Sequence, residues 1–187
     1  MKTKLAIFDM DGTLFDTKDV NYYAYKTALE ELGYTIDYDY YCKECNGRLY
    51  KQFVPEIIGE NIEHMEKIHE RKKELYSCFL SKARVNSSLF TLIDSIKDNY
   101  YIALVTTASK KNTMEILDKF SKTKLFDLIL THNDINMPKP DPEGFNKAMK
   151  HFNIDSSNSI IFEDSKPGIE AAKKSGATVF VAVGFNE

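Results

Sequence analysis

Five short apolar runs constrain this chain more than any other feature: Leu5–Phe8, Tyr101–Val105, Phe126–Leu130, Ser159–Phe162 and Thr178–Ala182. Apart from Asp127 and the opening Ser159 and Thr178 they are apolar throughout rather than alternating, so each reads as a strand covered on both faces. Helical patterns fill the gaps between the last four. Strands alternating with helices predict an α/β fold: a parallel sheet with right-handed crossovers and helices on both faces. In such sheets ligands sit beyond the carboxyl ends of the strands. Asp9, Thr106 and Asp164 each fall just after a run.

The first run ends in Asp9-Met10-Asp11-Gly12-Thr13. Alternate residues of a strand share a face, so the two carboxylates are placed to converge at its end. Two like charges held that close destabilise each other unless something neutralises them, and a hard divalent cation such as Mg²⁺ suits oxygen ligands. The plain alternative is a strand followed by a polar turn.

Three later segments carry further candidates. Ile102–Val105 leads into Thr106-Thr107-Ala108-Ser109. A hydroxyl at a strand end beside a helix N-terminus is suited to a phosphate oxygen; either threonine can supply it, or both are structural. In Met137-Pro138-Lys139-Pro140 the flanking prolines stiffen the backbone around Lys139. Its ammonium can offset phosphate charge and restrain neighbouring carboxylates, or simply face solvent. Asp141-Pro142-Glu143 then reads as an N-cap, a first-turn proline and a first-turn acid. Ile160–Phe162 delivers Glu163-Asp164, followed by a helix opened near Ser165 and Pro167 and closed at Gly176. Alone, that acid pair would pass as a helix cap.

The stretch from Asp16 to Val85 reads as helical. Val20, Ala24, Thr27, Ala28 and Leu32 make one face that ends at Gly33; Asn61–Ala83 places Met65, Ile68, Leu75, Phe79 and Leu80 inward. The charges of Glu66–Glu74 read as a solvated face. Ser87 precedes a further face of Phe90, Leu92, Ile93 and Ile96. The expected division is a core of residues 1–15 and 86–187 with a helical insertion of 16–85.

Composition narrows the function. A chain of 187 residues accommodates one core with a modest insertion. A net charge of −3 argues against a nucleic-acid groove. With neither a bilayer-length apolar stretch nor a signal-peptide cleavage region, the expectation is a cytoplasmic protein with no membrane partner. Cys42 and Cys45 have C-x-x-C spacing but lack a second ligand pair, and His64 and His69 are five residues apart. Cys42, Cys45 and Cys78 read as reduced thiols.

The pattern Asp-x-Asp-Gly-Thr-Leu at Asp9–Leu14 resembles the signature of the haloacid dehalogenase (HAD) superfamily, in its phosphotransferase branch. More narrowly, the chain is similar to the beta-phosphoglucomutase and phosphoglycolate phosphatase group. Thr106, Lys-Pro-x-Pro-x-x-Phe at Lys139–Phe145 and Glu163-Asp164 follow in the family's order, so the resemblance runs from Asp9 to Gly176. It implies a Rossmann-like core with a small α-helical cap inserted after the first strand. It implies Asp9 as the nucleophile that forms an aspartyl phosphate and Asp11 as general acid/base, with the Asp11 backbone carbonyl on the metal. The acid at Asp11, where dehalogenating relatives have none, points to phosphoryl transfer. Thr106 aligns with the family's phosphate-binding hydroxyl, Thr107 being one residue off, and Lys139 with its lysine. Asp164 aligns with a direct Mg²⁺ ligand; Glu163 binds the ion or holds one of its waters. Arg48, in Asn46-Gly47-Arg48, is either a cap residue facing substrate or a surface arginine.

The function so implied is a Mg²⁺-dependent phosphatase acting on a small phosphorylated metabolite, as a monomer or weak homodimer. A phosphosugar mutase is the alternative, and a non-catalytic binding module on the same fold a third reading. Two departures from the family stand out. Arg84-Val85-Asn86-Ser87 lacks the usual Pro-Gly, which predicts a different hinge. Gly184–Glu187 comes where relatives continue with another element, which predicts a trimmed or partner-covered sheet edge.

Overall fold

The computed structural model describes residues 2–183 and Phe185; the expectation placed on Gly184, Asn186 and Glu187 lies outside them. The chain forms two compact units, Met1–Asp16 with Arg84–Glu187, and Thr17–Ala83. Strand β1 (Lys4–Phe8) opens the first unit and a short β2 (Phe15–Asp16) leaves it. Helices α1 (Lys18–Glu30), α2 (Tyr38–Tyr40), α3 (Tyr50–Ile58) and α4 (His64–Leu75) make the second. The chain returns through β3 (Arg84–Val85) and α5 (Ser87–Ile96). Then follow β4 (Tyr100–Val105), α6 (Lys110–Lys119), β5 (Leu128–Leu130), α7 (Glu143–Phe152), β6 (Ser159–Glu163), α8 (Lys166–Lys174) and β7 (Thr178–Val181).

The main sheet is parallel in the order β5-β4-β1-β6-β7. The first strand is therefore central, with β4 on one side and β6 on the other. Leu5, Ile7, Ala103, Val105 and Ile161 form one buried cluster with Phe145, Ala148, Ala171 and Ala172. Those odd-numbered positions face α7 and α8, and by strand alternation Asp9 and Glu163 continue the same face. The opposite face carries Phe8, Phe162 and Phe180, which are register neighbours on three adjacent strands. Their rings stack, with centroids 4.6 Å apart for Phe8–Phe162 and 5.1 Å for Phe162–Phe180. A one-residue slip would break that stack and turn the acids away, so the rings help set the register of the site.

The way out of the core and the way back are paired. Phe15 and Asp16 bond antiparallel to Val85 and Arg84, and Arg84 Nη2 lies 2.6 Å from Asp16 Oδ2. This two-stranded ribbon stands where a Pro-Gly turn was missing from the sequence. Helix α5 is capped by Asn86, whose Oδ1 accepts from Leu89 N–H, and Ser87 is its first residue. Helix α7 likewise starts at Glu143, one residue later than the proline pattern predicts; Asp141 Oδ1 accepts from Glu143 N–H.

The helical unit has its own core, rich in tyrosine. Tyr22, Tyr25, Leu29, Tyr41, Phe53 and Ile68 lie in one buried cluster. Helix α1 buries Tyr22, Tyr25 and Leu29 beside Val20, Ala24 and Ala28, while Thr27 and Leu32 are only half-buried. Aromatic rings fill volume that the aliphatic pattern alone did not assign. The 61–83 segment is α4 followed by a 3₁₀ stretch, Tyr76–Lys82. Its charges do not all face solvent: Lys72 is 9% exposed, its ammonium over the rings of Tyr25 and Tyr76 at 5.2 and 5.1 Å. The cation–π attraction and the apolar stem explain that placement. The three cysteines are free thiols. Among the described residues no helix is long and apolar enough to cross a membrane.

Candidate active site

Asp9 follows β1 directly, and its N–H donates to Phe162 O at 3.0 Å, which extends the ladder by one residue. Its carboxylate is thus fixed beside the end of β6. Lys139 reaches the same point from the loop before α7. The Lys139 Nζ donates to Asp9 Oδ1 at 2.5 Å, to Glu163 Oε1 at 2.5 Å and to Val105 O at 3.2 Å. An ammonium has three N–H donors, so every one is directed here. Three strand ends, β1, β4 and β6, are joined through one side chain.

The loop that delivers Lys139 is held from below. Glu143 accepts from Met137 N–H at 2.6 Å and Asn136 N–H at 3.2 Å, while Lys147 pairs with it at 2.5 Å. The Lys139–Pro140 peptide is cis. The expected pairing of Lys139 with neighbouring carboxylates is what the geometry contains, and the solvent-facing alternative is not.

Glu163 is fully buried. Its second oxygen, Oε2, accepts from Asp164 N–H at 3.0 Å and from the Ser165 N–H and hydroxyl at 3.1 Å each. Helix α8 comes so close that a Cβ on Gly168 would lie 1.9 Å from Glu163 Oε1. Asp164 turns the other way. Thr13 Oγ1 donates to Asp164 Oδ1 at 2.8 Å, and Asp164 Oδ2 passes 2.1 Å from where a Cβ on Gly12 would stand. Gly12 also has φ +89°, a conformation that glycine adopts without penalty.

Ligand oxygens of Asp9, Glu163 and Asp164 lie within 4.8 Å of one another. Asp11 stands outside that trio as a half-buried residue bridged to Phe15. Burial holds the Asp9 carboxyl well above the usual carboxylate range; Glu163 and Asp164 add to this, and Lys139 opposes it. Burial likewise raises Asp164 to about 6, with Glu163 and Asp11 adding and the Thr13 hydroxyl opposing. Burial works to lower Lys139, but the charges of Asp9 and Glu163 outweigh it and hold the ammonium above its ordinary range. One ammonium does not balance these carboxylates, and the all-oxygen donor set fits a hard cation such as Mg²⁺. The Asp164 carboxylate fills the space over Gly12 that any side chain there would take, so glycine keeps Asp164 within that set.

The threonines separate. Thr106 is buried at the end of β4, where its Oγ1 accepts from Ala108 N–H at 3.1 Å and Ser109 caps α6. Thr107 is exposed and lines a narrow pocket with Val105, His132, Met137, Lys139 and Phe145. Arg48 belongs to the helical unit, where its guanidinium bonds Glu56 at 2.6 Å, Glu44 O at 2.6 Å and Gln52 O at 3.0 Å. Those contacts match a structural arginine that closes the turn at Gly47. The sequence reading did not single out Thr13, Gly12 and Gly168 for these roles. Thr13 is part of the quoted signature, and a hydroxyl next to a positive-φ glycine is the signal that marks it.

Residues 6–182 match the family of haloacid dehalogenase-like hydrolases. Over 177 residues the chain is 29% identical to a phosphorylated carbohydrates phosphatase of Thermotoga maritima, covering 91% of this chain and 80% of that one. A HAD hydrolase of family IA, variant 3, from Entamoeba histolytica superposes with a TM-score of 0.85 at 25% identity, covering 98% of this chain and 86% of its own. CbbY from Rhodobacter sphaeroides, solved in complex with phosphate, has the same fold with a TM-score of 0.83 at 22% identity, over 98% and 87% of the two chains. With a match that spans both units and every loop of the site, the chain belongs to the haloacid dehalogenase-like hydrolase family.

Proposed function

We propose that this hydrolase is a phosphatase for small organic phosphate monoesters, phosphosugars among them. The observation that carries the reading is the Lys139 ammonium seated between Asp9 and Glu163, with Asp164 alongside. The similarity to a phosphatase of phosphorylated carbohydrates supports the substrate class.

In this reading an Asp9 carboxylate oxygen attacks phosphorus. The new O–P bond forms as the ester P–O bond breaks, and Asp11 gives its proton to the departing oxygen. Asp11, now ionised, takes a proton from water, whose oxygen attacks the aspartyl phosphate and frees Asp9. Lys139 keeps Asp9 ionised and oriented, and offsets charge on the phosphoryl oxygens. The Thr106 hydroxyl, which accepts from Ala108 N–H, keeps its own proton for a phosphate oxygen. Asp9 and Asp164, with the Asp11 carbonyl and with Glu163 directly or through a water, would hold Mg²⁺, which would supply positive charge against the repulsion between phosphate and carboxylates.

The test is phosphate release from an aryl phosphate and a panel of sugar phosphates with Mg²⁺ present. Asp9→Asn is expected to abolish release, and activity that survives it would overturn the nucleophile assignment. Beta-glucose 1-phosphate is expected to lose phosphate; isomerisation to the 6-phosphate would make the enzyme a mutase instead.

A further inference from the structure

We propose that Asn86 is a positioning residue for the Asp164 carboxylate, acting through Thr13. Asn86 stands between β3 and α5, where the chain re-enters the core unit, and is far in sequence from either partner. Its Oδ1 accepts from Leu89 N–H at 3.2 Å. A backbone N–H can only donate, so the amide orientation is fixed and Nδ2 is turned to the other side. There it donates to Thr13 O at 3.0 Å. The Asn86 N–H adds a bond to Leu14 O at 2.9 Å. The residue therefore grips two successive peptides of the loop that follows Asp11.

Thr13 is fully buried and has little freedom of its own. Its hydroxyl donates to Asp164 Oδ1 at 2.8 Å, and the far oxygen of the same carboxylate is confined over Gly12. Rotating or lifting the Thr13 peptide would move the hydroxyl and release Asp164 from one side. The helix cap alone does not call for asparagine. Serine and aspartate also cap well, and aspartate offers the same acceptor at the same reach without a donor. What asparagine adds is the N–H aimed at Thr13 O. Partners one step behind a cation ligand tune affinity strongly, typically by 10–100-fold.

The inference rests on reading Asp164 as a cation ligand, and the experiment separates the two. Mg²⁺ is titrated calorimetrically into the full chain as wild type, Asn86→Asp, Asn86→Ser and Asp164→Asn, with thermal melts of each metal-free protein. Both Asn86 variants keep a capping acceptor, so their metal-free melting temperatures are expected to stay near that of the wild type. Their Mg²⁺ affinity is expected to fall about 10-fold or more. At fixed Mg²⁺ kcat falls with it, while KM for substrate holds. Wild-type Mg²⁺ affinity in both Asn86 variants would overturn the positioning role. A wild-type chain that binds no Mg²⁺, or an Asp164→Asn variant that binds it as tightly, would remove the cation reading and this inference together.

Discussion

Gly168 and Glu163 occupy the same space: the first turn of α8 passes so close that a Cβ on Gly168 would sit 1.9 Å from Glu163 Oε1 and 2.2 Å from Oε2. Glu163 in turn fixes the Lys139 ammonium. A methyl group at position 168 must therefore displace either the helix or a fully buried carboxylate with several hydrogen bonds. Gly168→Ala is expected to cost about 1–3 kcal/mol of stability through overpacking. It should also lower kcat by on the order of 100-fold, because small displacements of reacting groups are expensive. Thermal melts and steady-state kinetics check this; a variant with wild-type kcat would show that the carboxylate relaxes freely.

Lys139→Met removes the ammonium bonded to Asp9 and Glu163 while keeping much of its apolar stem. Breaking a buried pair from one side typically costs about 3–5 kcal/mol, because a charge is left uncompensated. Here protonation of Asp9 offers a partial escape, as burial already pushes its carboxyl upward. The expected result is a loss of activity near 10³-fold, with stability improving as pH is lowered. Lys139→Arg should not restore activity, since a planar fork cannot reproduce three bonds converging on Asp9, Glu163 and Val105 O. Kinetics and melts across pH decide both points.

Glu143 carries a pH dependence of the opposite sign. Its bond to Lys147, then those from Met137 N–H and Asn136 N–H, lower its carboxyl from 4.5 to about 2. A depressed folded-state value means that the stabilisation is complete above the unfolded value and lost as pH falls toward the folded one. Glu143→Gln should therefore be less stable than the wild type near neutral pH, and the gap should close between 4.5 and about 2. Because this carboxylate pins the loop that delivers Lys139, kcat should fall as well. Urea unfolding at several pH values measures the gap; one that persisted unchanged at the acid end would refute the linkage.

Much of this was legible in the chain because strand ends advertise themselves. Apolar runs stop abruptly at Asp9, Thr106 and Asp164, and a parallel sheet brings such positions to one edge. Lys139 was legible through its prolines. What escaped were relations between residues on different elements. Asn86 meets Thr13 across 73 positions, and nothing local distinguishes it from an ordinary helix cap. Lys72 reads as surface charge, yet its environment is built by tyrosines on other elements. Gly168 looks like a permissive helix residue, and only the packing of α8 on β6 makes its missing side chain a requirement.

The aromatic stack behind the site offers the last test. Phe162 is nearly buried, stacked on Phe8 at 4.6 Å and on Phe180 at 5.1 Å, and it immediately precedes Glu163. Phe8 likewise immediately precedes Asp9, so the rings and the acids occupy opposite faces of the same strand ends. Phe162→Ala removes the middle ring, and a large-to-small change of this kind costs about 3–5 kcal/mol. Phe162→Leu restores most of the volume without the stacking and should cost about half as much. If the rings only fill space, kcat at a temperature where both variants are folded should equal that of the wild type. If they hold register for Asp9 and Glu163, kcat should fall in both variants, more in Phe162→Ala, while KM changes little. The second outcome is expected, because Asp9 N–H bonds Phe162 O and any shift of that peptide moves the Asp9 carboxylate.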